Sequence, residues 1–527
     1  MRITDFLLLA ALPLILTGCS SAVAVPGSTL TSGFWADAPS YKIVNLPLEG
    51  RQNVIRVNGA DTNWAIVKYS LEDYKGKEIT IQFSADVKRT GAAGTLNWQV
   101  NNAPGYPTVS FLENAAPGVW HRMRGRRIIT PADDNPVLYL TNWENNAKNT
   151  IYYIDNIIIT IEEGNSMAPN LALAPLKSSY ENDFLVGNII GSTYISENYF
   201  DLLKHHYSVV TPTETYPFLL APYGKGNYQW EMADTVVNLA RSNNMKVHGH
   251  VLAWHELCPE WMTAGSRETV ISNLEQYIAD VLSHFKGRIT SWDVVNEAMR
   301  DNLSAADAAG DWRRCIRNSD NPWHKALGAD YVEIAFRAAR AADPDITLYY
   351  NDYFHYEWSS EKWFGGPNKP EAVRKMIDDI NTRYRNETSG TRNLIEGVGT
   401  QSHFMGMDVN LDNVRLTLEK FKTLGIEIAV SELDISTAGY VRGEGADTPM
   451  SVEDEMAQAR IYANLFKLYR EYAPHISRVI FWGMDDGTSW LSAGNPCLFD
   501  WKLHAKKAFH AVSDPLAWKQ KLSDNSR

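Results

Sequence analysis

The chain has 527 residues, 44% of them apolar, with 62 Asp and Glu against 50 Lys and Arg for a formal charge of -12. That length exceeds one ordinary domain and suits a large barrel plus a smaller module, and the apolar share is enough for a full core. The acidic balance argues against a nucleic-acid partner, which needs basic surface, and fits an enzyme acting on an uncharged polymer.

The first residues read as a targeting segment. Arg2 gives a positive start, and Phe6 to Leu16 is an apolar stretch too short to span a bilayer comfortably. It runs into Leu16-Thr17-Gly18-Cys19-Ser20, which resembles the bacterial lipobox. The resemblance implies a lipoprotein signal peptide over 1–19, acylation of Cys19, and a tether over 20–30. The protein would then be an exported lipoprotein of the cell envelope, held at the outer membrane or cell surface by lipid rather than threaded through it. Cys258, Cys315 and Cys497 remain, so one disulfide is possible and one thiol stays over. No spacing among them or the histidines suits a metal site, and no cofactor is implied.

Residues 31–163 have an all-β pattern. Short runs such as Ile79-Thr-Ile-Gln-Phe-Ser84 and Val137-Leu-Tyr-Leu140 are separated by Gly, Asn, Asp and Pro turns. The last run, from Ile151 to Thr160, is long and β-branched. About 130 residues of this kind fit a β-sandwich. Trp35, Trp64, Trp98 and Trp143 serve either as sugar platforms or as core. Residues 164–180, rich in Gly, Asn, Ser, Pro and Ala, read as a linker.

Over 181–520 strands alternate with helices. Eight strand candidates start near Leu185, Tyr207, Lys246, Ile289, Thr347, Gly397, Glu427 and Arg478. Ser272 to Phe285 has a helical apolar face, with Gly287 as the stop. Eight βα units over this length imply an α/β domain, a (β/α)8 TIM barrel, behind the N-terminal sandwich.

A barrel brings the carboxyl ends of its strands onto one face. Those ends are polar here: His248-Gly-His250 and Trp254-His255 after the third strand, and Asn296-Glu297 after the fourth. The fifth gives Tyr350-Asn351-Asp352-Tyr353, the sixth Gln401-Ser-His403, the seventh Glu432 and Asp434, and the eighth Trp482, Asp485, Asp486 and Trp490. Glu297 and Glu432 each end a near-continuous apolar run, and two carboxylates facing one pocket are the minimum equipment for cleaving a glycosidic bond.

The segment Trp292-Asp293-Val294-Val295-Asn296-Glu297-Ala298 resembles the acid/base signature of family 10 glycoside hydrolases, the endo-β-1,4-xylanases. Ser431-Glu432-Leu433-Asp434-Ile435 resembles that family's nucleophile motif. Segments starting at Gly249, Tyr350, Gly397 and Phe481, and Asn318 with Pro322-Trp323, match further blocks in order. The resemblance spans roughly 185–515 and implies a retaining mechanism, with Glu297 as acid/base and Glu432 as nucleophile. It implies that His403 bonds the nucleophile and Asn296 bonds the sugar 2-hydroxyl. His250, Trp254, His255 and Gln401 fall on sugar-binding blocks, and Trp482 and Trp490 on an aromatic cage. The sandwich resembles the carbohydrate-binding modules attached to such enzymes through its closing Tyr153-Ile-Asp155-Asn-Ile157 segment. The implied partner is xylan or a related β-linked polysaccharide.

One block departs from the pattern. The family's Thr-Pro-Glu-Asn-Glu-Met-Lys reads Thr211-Pro212-Thr213-Glu214-Thr215-Tyr216-Pro217 here, so its Glu, Asn and Lys fall on Thr213, Glu214 and Pro217. Plain xylanase activity is therefore expected alongside an alternative, action on decorated, differently linked or short β-xylosides. A non-catalytic glycan-binding lipoprotein is disfavoured by the intact carboxylate pair. Lys225, in the following loop, is the candidate to refill the missing cation.

Overall fold

A computed structural model describes residues 34–35, 44–58, 67–101, 108–129, 136–141, 150–163, 169–354, 368–438 and 450–518. The targeting segment with Cys19, the tether, Trp64 and Trp143 lie outside them. The chain divides into two units, Met1–Ser166 and Met167–Arg527.

The first unit consists of two five-stranded antiparallel sheets. The strand Ile79–Arg89 sends Ile79, Ile81, Phe83, Ala85 and Val87 into the core, as period-2 alternation dictates. Ile151–Glu163 first buries Tyr152 and Ile154, then Ile157, Ile159 and Ile161. A bulge between Asp155 and Ile158, with Asn156 at φ 48°, moves the apolar set from even to odd positions. Trp98 is fully buried and its ring lies 4.4 Å from that of Phe83. The core use of this residue wins over the platform use.

The second unit is a closed parallel barrel. Its strands are Leu185–Ile190, Val209–Pro212, Lys246–Trp254, Ser291–Asn296, Thr347–Asp352, Gly397–Thr400, Glu427–Ile435 and Ile476–Phe481. All neighbours run parallel, and the eighth strand closes onto the first with Val186 opposite Val479. Burial on both faces is why these strands read as continuous apolar runs. The seventh strand continues past Glu432 to Ile435, because Asp434 and Ile435 pair with a short strand at His403–Phe404. The Arg267–His284 helix starts earlier than the apolar periodicity indicates, since the Ser266 hydroxyl accepts the Thr269 N–H and caps it. Gly287 beyond its end has φ 74°. Ordered packing also reaches into the segment read as linker: Leu176 and Tyr180 are fully buried, and the Tyr180 hydroxyl donates to the Val512 carbonyl. Cys258, Cys315 and Cys497 are all free thiols.

Candidate active site

Glu297 follows the fourth strand directly, with φ 55°. Its amide donates to the Asn351 carbonyl (2.9 Å), which continues the pairing with the fifth strand past the strand end. The carboxyl group receives two neutral donors, Trp254 Nε1–H on Oε2 (2.9 Å) and Gln401 Nε2–H on Oε1 (2.7 Å). Burial raises its pKa; the Gln401 bond opposes this, and the charges of Asp352 and Glu432 add to it. The balance lies at about 7, so this carboxyl carries a proton in weakly acidic solution.

Glu432 has different company. Asn351 Nδ2–H donates to its Oε1 (2.7 Å), and His403 Nε2 stands 3.1 Å from its Oε2. The other His403 nitrogen lies 2.9 Å from Asp434 Oδ1. Burial works against a charged imidazole here, but the flanking Asp434 and Glu432 outweigh it and lift the His403 pKa to about 10. At neutral pH both ring nitrogens therefore donate, and an imidazolium faces Glu432. Trp490 Nε1–H completes the row by donating to Asp434 Oδ2 (2.8 Å).

Amide side chains join the two carboxyl groups. Asn296 Oδ1 accepts from Gln401 Nε2 (3.3 Å) and from Asn351 Nδ2 (2.9 Å). The Ser431 hydroxyl donates to Asn351 Oδ1 (2.6 Å), which fixes the orientation of that amide. Around this network stand partly exposed aromatic rings. Trp482 lies 5.5 Å from His250 and 6.3 Å from His403, and Trp490 lies 4.9 Å from His403.

His250 Nδ1 is 2.8 Å from Asp293 Oδ2. Burial disfavours its charged form, but the Asp293 hydrogen bond and the charges of Glu432, Asp293 and Glu297 raise its pKa. His248 is held deeper, with Nε2 3.1 Å from Asp293 Oδ1 and the Arg478 guanidinium at 3.1 Å. Burial and that guanidinium hold the His248 pKa down at about 4. One carboxylate thus lies between two histidines whose pKa values move in opposite directions.

Residues 175–515 match the description of glycosyl hydrolase family 10. The chain belongs to that family. An endo-1,4-beta-xylanase A of Thermoanaerobacterium saccharolyticum is 30% identical over 95% of this chain, which spans 40% of that protein's length. A solved GH10 xylanase from termite gut, containing a bacterial Ig-like domain, is 33% identical with a TM-score of 0.60, covering 70% of this chain and 86% of its own. A mutant intracellular xylanase of T. saccharolyticum in complex with xylotetraose is 30% identical with a TM-score of 0.55, covering 66% of this chain and 100% of its own.

Within this family 10 barrel the structure brings together Glu297, Glu432, Asn296, Gln401, His403, His250, Trp254, Trp482 and Trp490. His255 stands apart from the pair. Burial and the charge of Arg317 hold its pKa at about 4, and Asp320, Lys369, Asp301 and Glu256 (4.0 Å) are further charged neighbours. Asp486 is buried against Lys506 (2.9 Å), and Asp485 accepts the Gly487 amide and the Thr488 hydroxyl, so both order the eighth loop. Asn351, Asp434 and Asp293 touch the central residues directly but were not among the predicted site residues. Asn351 and Asp434 carried a signal as polar groups near the ends of apolar strands, whereas Asp293 lies inside the fourth strand, where a carboxylate within an apolar run is itself the signal.

The altered block lies at the end of the second strand. It borders a cavity of about 260 Å³ beside Trp482 and Trp490, lined in part by Ser192, Thr193, Thr213 and Glu214. Lys225 does not refill it: its ammonium lies against Ser272 Oγ (3.3 Å) on the Arg267–His284 helix.

Proposed function

We propose that this family 10 chain is a retaining endo-β-1,4-xylanase. The carrying observation is the unlike environment of the two carboxyl groups. Glu297, bonded by an indole and an amide, holds its proton to about pH 7. Glu432 accepts from an amide and an imidazolium. In the first step Glu297 gives its proton to the departing glycosidic oxygen while Glu432 attacks the anomeric carbon. In the second, Glu297 takes a proton from water, which displaces Glu432. Asn296, His250, Gln401, Trp482 and Trp490 would hold the sugar on the glycone side, and Trp254 orients the acid. The relatives' names and the xylotetraose complex support xylan as the substrate.

The test is reducing-end release from β-1,4-xylan, with β-1,3-xylan and cellulose as comparison. The reading stands if β-1,4-xylan is cut internally to short oligosaccharides, and falls if it is inert. The altered second-strand block favours a second reading, in which the glycone site prefers decorated or short β-xylosides, because Pro217 has neither donor nor charge.

The sandwich is proposed as a glycan-binding module, supported by its two-sheet architecture and by an alignment that runs through 95% of the chain to a xylanase. Acylation of Cys19 and attachment to the cell envelope are proposed from the lipobox. Replacing Cys19 by Ala should release the protein from the membrane fraction with unchanged activity on soluble substrate; retention there would contradict it.

A further inference from the structure

Four of the five residues that differ from the family block, Thr213, Glu214, Thr215 and Pro217, have roles visible within the protein. Thr213 donates to Glu214 Oε2 (3.1 Å). Glu214 is buried, and its Oε1 accepts the Ser192 amide, so this carboxylate pins the loop after the first strand. The Thr215 hydroxyl donates to the His250 carbonyl (2.6 Å) and ties the block to the third strand. Pro217 has no polar side-chain atom and opens the short helix Pro217–Leu220. Every polar group of the block except one is therefore committed to the protein.

The exception is Tyr216. Its ring stands edge-on to His250 at 5.5 Å and lies 6.0 Å from Trp254. It thus belongs to the same wall as two groups that touch the central network. The ring is partly buried, and its hydroxyl, which has no hydrogen-bond partner among the described residues, is open to solvent. Burial, followed by the charges of Glu432, Glu214, Glu297 and Asp293, pushes the phenol pKa far up. The hydroxyl is thus a neutral donor and acceptor within the field of both central carboxyl groups. A phenol that no protein group holds is free to exchange water for a sugar hydroxyl.

We propose that Tyr216 is a substrate-binding residue that bonds a hydroxyl of the glycone sugar at the cleaved bond, supplying a neutral hydrogen bond where Pro217 has no group. This rests on the xylanase reading above. It corrects the simplest consequence of the altered block. The glycone site has not merely lost a cation; it has exchanged a long ammonium arm for a rigid phenol one residue earlier in the chain. A neutral donor anchored against His250 suits an unsubstituted xylose ring and gives no charge to attract a uronic acid.

The test is Tyr216→Phe, which keeps the ring and its packing and removes one oxygen. Steady-state kinetics would be measured on xylotriose, xylotetraose and a 4-nitrophenyl β-xylobioside. Losing one such bond should lower kcat/KM about tenfold, with Tm unchanged because no protein partner is lost. On aryl glycosides whose glycone is deoxygenated at one position in turn, one analogue should show no further loss with the variant. That non-additivity identifies the hydroxyl bonded, and a merely structural role would not produce it. A variant within twofold of the wild type on every substrate would overturn the assignment, as would equal losses on all the deoxy analogues. A wild-type protein silent on every β-xyloside would overturn the xylanase reading, and this proposal with it.

Discussion

Glu297 is bonded only by neutral donors, and this has consequences for pH. Its folded pKa of about 7 lies above the ordinary carboxyl value of 4.5. The protonated form is therefore the better accommodated one: full stability is present below about pH 4.5 and is lost as pH rises through about 7. Glu297→Gln, a neutral isostere, should raise Tm at pH 8 and leave it unchanged at pH 4.5, as thermal unfolding at the two pH values would show. Activity should carry the same signature. On xylan, kcat/KM should fall about tenfold per pH unit above about 7, because the departing sugar then lacks its proton donor. His403 acts in the opposite range. Its pKa is raised from 6.5 to about 10, so its charge persists at neutral pH; its stabilising contribution is fully present below about pH 6.5 and is lost as pH rises from there through about 10. His403→Ala should leave Glu432 and Asp434 facing each other without a cation, lowering kcat by at least about tenfold. The two glutamates and His403 were legible because charged or titratable residues at apolar strand ends stand out. Asn351 was harder to read, since an amide has no charge signature and its bonds to Asn296 and Glu432 exist only once the barrel closes. Tyr216 was hidden inside the block that departs from the family.

The barrel strands were legible because each is buried on both faces. Their ends were less so. The second and fourth begin at Val209 and Ser291, later than the readings at Tyr207 and Ile289, and the eighth at Ile476, before Arg478. The same strands place tight limits on their own residues. A Cβ added at Gly249 in the third strand would stand 2.3 Å from the Trp292 ring in the fourth. Overpacking of this kind costs about 1–3 kcal/mol, and Gly249 immediately precedes His250, which Asp293 holds. Gly249→Ala should therefore lower Tm by several degrees and reduce kcat/KM more than a distant destabilising change does; thermal unfolding and kinetics on one preparation would check both.

The change from β alternation to βα repetition made the two units legible, although the boundary proved softer than the composition indicated. Leu176 and Tyr180 lie in a Ser- and Pro-containing stretch, yet both pack into the barrel unit. A chain beginning at residue 169 should keep its activity on short oligosaccharides, since every residue bonded to Glu297 or Glu432 lies after that point; one beginning at residue 181 should lose stability with Tyr180. Affinity electrophoresis of residues 31–163 in xylan tests the sandwich separately: retardation supports a binding module, and unaltered mobility on all β-glycans leaves a structural one. For the whole enzyme the central claim is that Glu297 and Glu432 have separate roles. It is tested most directly by the azide products of their alanine variants on an activated aryl β-xylobioside, read by proton NMR. Glu297→Ala should be rescued by azide and give the β-glycosyl azide, because Glu432 still forms the covalent intermediate. Glu432→Ala should give only the α-azide, by direct attack. An α-azide from the Glu297 variant, or no rescue of it, would contradict the assignment.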